Sequence, residues 1–256
     1  MNPYLSLVYK KPGQTPLEAV TEAKNTNPLW SHLPVTYAGR LDPLAEGVLV
    51  LLAGEECLKK DTYNALSKEY VVTMLLGFAT DTYDSMGLVE DFVPEDMYNG
   101  EEFLQGVISV YPQYTGRIRQ SYPPYSSRTV LGKPLFAWAR EGRLDEITIP
   151  AHDVSVESIE QIEMGEISRD ALQKKIREDI NRVSGDFRQK EILERWDTIL
   201  ASYTNFVFKT VTLKIVCGSG VYVRALVHEI GKTSGIPSLA LRIIRTKVGE
   251  YTVPYM

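Results

Sequence analysis

Two carboxylates, a guanidinium and a phenol stand out in this chain as groups that could do chemistry together. Asp42 lies in YAGRLDPLAEGVLVLLAG (37–54), between a glycine turn and an apolar run, with Arg40 two positions before it. Asp84 ends the polar run TDTYD (80–84), Tyr70 lies in the strand-like run EYVVTMLLGF (69–78), and Arg224 interrupts the apolar segment VYVRALV (221–227). A buried arginine needs an acidic partner, and Asp42 or Asp84 would supply it. A planar guanidinium can hold two carboxylates and keep a neighbouring one ionised in a dry pocket. Such a carboxylate can act as a nucleophile or a base, and two of them could also cleave a glycosidic bond. Plainer readings compete. Asp42-Pro43 has the form of a helix N-cap with proline at the first helical position. Tyr70 could be packing, and Thr80-Asp81-Thr82 only a turn.

Composition narrows the class of molecule. The 256 residues are 44% hydrophobic and 24% charged, enough apolar material for a folded core and too much for a disordered chain. The longest apolar run, VLVLLA (48–53), is far too short to span a bilayer, and the N-terminus lacks the pattern of a secretory signal. Cys57 and Cys217 show no paired spacing and read as reduced thiols of a cytoplasmic protein. His32, His152 and His228 are too scattered for a metal site, so no metal is expected. There is no P-loop and no dinucleotide fingerprint, so no cofactor is expected either. The net charge of −5 argues against a nucleic-acid partner, but the charge is uneven. Seven acids and no bases lie between Asp84 and Val110, whereas six bases and one acid lie between Tyr111 and Arg143. Local fields decide binding beyond about 10 Å, so an acidic chain can still hold phosphates at one face.

The elements that must position these groups alternate irregularly. Strand-like runs recur at 5–9, 48–53, 69–78, 147–164, 205–217 and 248–253, the fifth with the imperfect alternation of a bulged strand. Helical patterns begin at Thr15-Pro16, at Leu135 and at Val221, the last ending at Gly235. Ser168 can cap a helix with Leu172, Ile176, Ile180 and Val183 on one face. After Ser184-Gly185, a second face carries Ile192, Trp196 and Ile199/Leu200. Residues 165–200 therefore read as a charged helical hairpin inserted between two strands, with near-balanced charges that do not favour phosphate contact. The fold class is mixed α+β rather than a doubly wound parallel sheet.

Four segments, GRLDPLAEGVL (39–49), KEYVVTMLLGFATDTYDSMG (68–87), RQSYPPYSSRTVLGKPLFAWAREG (119–142) and CGSGVYVRALVHEIG (217–231), stand in that order. Together they resemble the TruB family of tRNA pseudouridine synthases over about residues 1–150 and 203–253. The resemblance implies a largely antiparallel sheet flanked by helices and conversion of uridine to pseudouridine in the TΨC arm of tRNA. Residue by residue it implies Asp42 as the catalytic aspartate, Tyr70 as the active-site tyrosine, Arg224 as the partner of Asp42 and Asp84 as the acid holding that arginine. It also implies Lys10, in YKKPGQT (9–15), as a substrate-side base and Leu241, in LALRIIR (239–245), as the apolar residue closing the pocket. Glycines 39 and 47 would let backbone approach the RNA.

The chain departs from the family pattern in two places. Tyr37 stands where H-x-G-x-L-D has histidine, and Arg40 stands where a small residue is usual. Tyr37 could still stack on a base, and Arg40 could share the task of flipping it. The run Arg242, Arg245, Lys247 is either a solvated edge or an RNA contact. The chain reads as one catalytic domain, 1–256, acting as a monomer without the C-terminal PUA domain of many bacterial members. Two further readings are an RNA-binding or RNA-folding protein with a relict site and a synthase acting on a different RNA.

Overall fold

Hydrophobic runs, each bounded by a turn or cap, build the elements in chain order. The computed structural model describes residues 2–253. β1 (Leu5–Lys10) leads into α1 (Pro16–Thr26), β2 (Val35–Ala38) and β3 (Glu46–Ala53). At the start of α1 the Thr15 side chain accepts from the Glu18 N–H while Glu18 accepts from the Thr15 N–H, a reciprocal cap that satisfies two otherwise unpaired donors. α2 (Lys60–Ala65) and β4 (Lys68–Leu76) follow, then the hairpin β5 (Phe78–Thr80) and β6 (Val89–Phe92). α3 (Gly100–Val110) and β7 (Gly116–Ser121) precede a short hairpin, β8 (Thr129–Val130) and β9 (Lys133–Pro134), which feeds α4 (Leu135–Arg140). β10 (Ala151–Ser168), α5 (Arg169–Arg182), α6 (Gln189–Leu200), β11 (Val207–Cys217), α7 (Val223–Ser234), β12 (Ser238–Val248) and β13 (Tyr251–Thr252) complete the described chain.

The main sheet runs β1-β3-β12-β4-β11-β10-β7, with β13 added to β12 and β2 to β3. Every pair is antiparallel except β3 with β12. The architecture is thus mixed α+β with a largely antiparallel sheet. Along β4, Tyr70, Val72, Met74 and Leu76 share one face and pack with α3 and α7 through Leu104, Val107, Leu226, Val227 and Ile230. The other face near the β4–β11 end is covered by the inserted hairpin. There Leu172, Ile176, Ile180, Ile192 and Trp196 close a second core with Leu75, Phe78, Phe208 and Leu239. Ser168 caps α5 through the Ala171 N–H.

Three details differ from the expectation. The irregularity anticipated in 205–217 falls on the partner strand β10, where Glu157 and Ile162 are the extra residues opposite a regular β11. The run 248–253 is two strands joined by a turn at Gly249, because φ +57 there reverses the chain. β12 is a central strand that Arg242, Arg245 and Lys247 hide from a hydrophobic pattern.

At one point the sheet divides. β3 pairs with β12 only at Glu46 and Gly47, and β2 takes over the same edge from Val50. The β2–β3 loop that carries Asp42 emerges where β2 and β12 part. Gly47 is required there for its neighbour in the sheet rather than for RNA. Its φ is +110, and a Cβ would stand 2.2 Å from the Arg245 carbonyl oxygen. Gly47→Ala should therefore cost about 2 kcal/mol or more in urea denaturation, because strain and a backbone clash add. Gly116→Ala, at φ +99 with open space around it, should cost only the conformational strain of about 1–2 kcal/mol.

Candidate active site

Asp42 sits on an irregular loop that bends at Pro43 and Leu44 and enters β3 directly; there is no helix for it to cap. Its neighbours gather around a cavity of about 760 Å³, within the range that holds a nucleotide-sized ligand. The lining comprises Gly39–Pro43, Lys68 and Tyr70 of β4, Asp84, Tyr125–Ser127, Asp186–Arg188, Gly218–Arg224, and Ile243 and Arg245 of β12. Asp42, Tyr70, Arg224, Asp84, Gly39 and Arg40 are thus brought together from segments far apart in the chain.

Arg224 occupies the first turn of α7 and is 3% exposed. Its Nε donates to Asp42 Oδ2 at 2.8 Å, one terminal nitrogen to the Thr82 carbonyl at 2.6 Å and the other to the Tyr125 carbonyl at 2.9 Å. Burial disfavours its charge, but the Asp42 and Asp84 charges and the bond to Asp42 outweigh that and keep its pKa raised. The Asp42 side chain is 35% exposed, so its carboxylate is fixed at one oxygen and open towards the cavity.

The anticipated fork between two carboxylates is not formed. Asp84 lies beside Arg224 without an ion pair to it; Asp84 Oδ1 accepts instead from the Thr82 hydroxyl at 2.7 Å and the Met86 N–H at 3.0 Å. Arg224 directs its three nitrogens at Asp42 and the Thr82 and Tyr125 carbonyls instead. Burial raises the Asp84 carboxyl from 3.8 to about 6, with Arg224 only partly opposing it.

Tyr70 lines the cavity at 9% exposure, and burial pushes its phenol pKa up. The charge of its cross-strand neighbour Arg245 partly opposes this. Arg245 is not a solvated edge: it is 1% exposed. Its Nε donates to the Val48 carbonyl at 2.8 Å and a terminal nitrogen to the Gly39 carbonyl at 2.9 Å. These are backbone acceptors that the parting of β2 from β12 would leave unpaired. Arg242 pairs with Glu46 at 2.7 Å, and Lys247 lies 3.9 Å from Glu69. Lys68 was also not singled out in the sequence. It is buried against the Asn64 and Leu66 carbonyls, and burial followed by Arg245 lowers its pKa to about 8. The signal was present in K-E-Y, since positions 68 and 70 of a strand share a face.

Three further expectations need correction. Lys10 does not line the cavity; it is fully buried beneath the loop that carries Asp42, donating to the carbonyls of Lys11 (3.2 Å), Pro43 (3.1 Å) and Ala45 (2.6 Å). Burial lowers its pKa to about 8. Tyr37 lies on β2 outside the lining, packed on the cluster around Trp30, with the Lys60 ammonium 5.4 Å above its ring. Leu241 packs with the inserted hairpin instead of closing the pocket. It is the extra residue of a β12 bulge opposite Met74 and Thr73, which reverses the facing of the strand, so that Ile243 reaches the cavity.

Comparison with known proteins points to one family. The family model described as TruB family pseudouridylate synthase (N terminal domain) matches residues 32–178. The tRNA pseudouridine synthase B of Caldanaerobacter subterraneus subsp. tengcongensis is 29% identical, with 96% of this chain and 69% of that protein covered. Pseudouridylate synthase TRUB1 of Mus musculus is also 29% identical, over 96% of this chain and 63% of that protein. The tRNA pseudouridine synthase B of Syntrophus aciditrophicus is 30% identical, over 95% of this chain and 62% of that protein. A chain in the crystal structure of a Cbf5-Nop10-Gar1 complex shares the fold, with TM-score 0.57, 19% identity and coverage of 98% of this chain and 50% of that one. The chain spans about half the length of such solved chains.

The Asp84 shift predicts a pH dependence of stability. With a folded pKa of about 6 against 3.8, the folded state keeps a proton that the unfolded chain releases. The stabilisation is complete below 3.8 and lost as pH rises through about 6. In thermal denaturation from pH 4 to 7, wild type should lose stability relative to Asp84→Asn; a constant difference contradicts the shift.

Proposed function

The chain belongs to the TruB pseudouridylate synthase family, and from that premise we propose that it isomerises uridine to pseudouridine in the TΨC loop of tRNA, at position 55 in standard tRNA numbering. One observation carries the reading: a carboxylate, Asp42, is fixed at one oxygen by a buried guanidinium and open at the other to a nucleotide-sized cavity. The reaction breaks the C1′–N1 bond and forms C1′–C5. The proton on C5 is released and N1 gains one, so no atoms and no electrons are exchanged with a second substrate. An ionised carboxylate at the ribose–base junction serves either attack at C1′ or proton removal from the sugar. Arg224 cannot swing away from Asp42 without breaking two backbone bonds, so the carboxylate meets the nucleotide already oriented.

Tyr70 offers a ring to the base and a phenol close to the Arg245 charge, suited to stacking and to handling the C5 proton. Lys68 adds an ammonium to the same wall. The target uridine must leave its stack, which costs a few kcal/mol. Arg40 is exposed at the cavity and forms no ion pair among the described residues, leaving its guanidinium available to the RNA during that step. The partner is then the TΨC arm of tRNA, engaged by a monomer in the cytoplasm. No helix among the described residues is long and apolar enough to cross a membrane.

Two measurements test this. A tRNA transcript with tritium at C5 of uridine should release label with wild type, and Asp42→Asn should slow release about 10²–10⁴-fold. Binding without release by wild type would instead support an RNA-binding protein with a relict site. Arg40→Ala should slow release from folded tRNA about tenfold through the cost of base flipping. An unchanged rate would remove Arg40 from that role.

A further inference from the structure

The inserted hairpin reaches the cavity at its tip. Asp186, Phe187 and Arg188 line it, and they lie beyond the residues matched by the family model. The tip is fastened on two sides. Arg140 of α4 donates to the Asp186 carbonyl, and its guanidinium lies 6.0 Å from the Phe187 ring centre. Arg188 donates to Asp81 Oδ2 at 2.8 Å, and its guanidinium lies 4.6 Å over the Tyr125 ring. Asp81 also takes the Leu88 N–H at 2.9 Å.

Arg188 is an unusual choice on local grounds. It occupies the N-cap of α6 with a left-handed backbone, φ +62, and makes no side-chain cap. Glycine or asparagine would sit there with less strain, and Asp or Ser would cap better. A residue kept against local preference points to what its side chain does elsewhere. Here the guanidinium holds Asp81 and covers Tyr125, whose carbonyl receives Arg224. Asp81 lies next to Thr82, whose carbonyl receives another nitrogen of Arg224. Both backbone acceptors that orient the Asp42 partner are therefore tied, within one residue, to Arg188.

We infer that Arg188, at the tip of the inserted hairpin, is a positioning residue for catalysis: it fixes the Asp81 and Tyr125 segments whose carbonyls aim Arg224 at Asp42. The inference rests on the synthase reading for its effect on turnover and on geometry alone for its effect on the two segments. Loss of this brace leaves the chemistry groups in place but lets the Arg224 acceptors wander. A misplacement of about 1 Å in such a frame is worth up to about a hundredfold in rate.

The experiment combines single-turnover tritium release at saturating protein, tRNA binding by filter retention, and amide hydrogen exchange on the full chain. Arg188→Ala should lower the single-turnover rate about tenfold or more with less than about threefold change in Kd, and speed exchange in segments 80–84 and 121–128. Arg188→Lys, which still pairs with Asp81, should return to within about threefold of wild type. Asp81→Asn should slow release, and combining it with Arg188→Ala should add little, because the two act as one unit. A wild-type rate and wild-type exchange in folded Arg188→Ala overturn the inference, whatever the change in Tm. A loss confined to Kd also overturns it, since the tip would then be an RNA contact. Should Arg188→Ala not fold, unchanged rate and exchange in Asp81→Asn overturn it equally. If wild type releases no tritium, the synthase reading fails, and the exchange of the two segments still decides the bracing role.

Discussion

The site depends on one buried guanidinium with a full set of partners. Arg224 takes a carboxylate from the β2–β3 loop, a carbonyl from the turn after β5 and a carbonyl from the segment after β7. Three loops with no regular structure of their own are therefore held in register by a side chain that cannot be deprotonated and cannot be left unpaired. Removing Asp42 would leave the buried Arg224 charge without its carboxylate, so structure and chemistry are coupled through the same bond. Asp84 stands apart. Its carboxyl is held by Thr82 and Met86 and interacts with the guanidinium through space, and burial dominates its pKa.

A second set of buried cations serves the backbone rather than the substrate. Lys10, Lys68 and Arg245 all point at carbonyl oxygens around the place where the sheet divides. A loop emerging from a split sheet has unpaired acceptors facing the interior, and these must be satisfied. Cationic donors do this while raising the local potential of the adjoining cavity. Many surface bases, such as Lys133, Arg143 and Lys209, are neutralised by neighbouring acids, whereas Lys68 and Arg245 at the cavity face oxygen dipoles.

The inserted hairpin contributes packing and reach. Its two apolar stripes close a core against Phe78, Phe208 and Tyr203, which keeps the tip at a defined height above the sheet. The charged outer faces of α5 and α6 are laced by pairs such as Lys174 with Glu178 and Lys190 with Glu194, as a solvated surface would be. Only the turn between the helices touches the cavity, so balanced charge along the helices is compatible with a tip that lines it.

What the sequence by itself determined was local: the cap at Thr15, the stripes of the inserted hairpin, the mixed α+β class, and motifs that placed Asp42, Tyr70, Asp84 and Arg224 at one site. Those features are written in spacing and residue type, which physical chemistry reads over a few neighbours. Tertiary structure decided the rest. The β12 bulge turned Leu241 away and Ile243 inward; the split of the sheet buried Lys10 and Arg245 and placed Gly47 against a strand; carbonyls no motif records took the nitrogens of Arg224. Each outcome depends on which backbone groups lack a partner once distant strands have met, and no stretch of the chain carries that information alone.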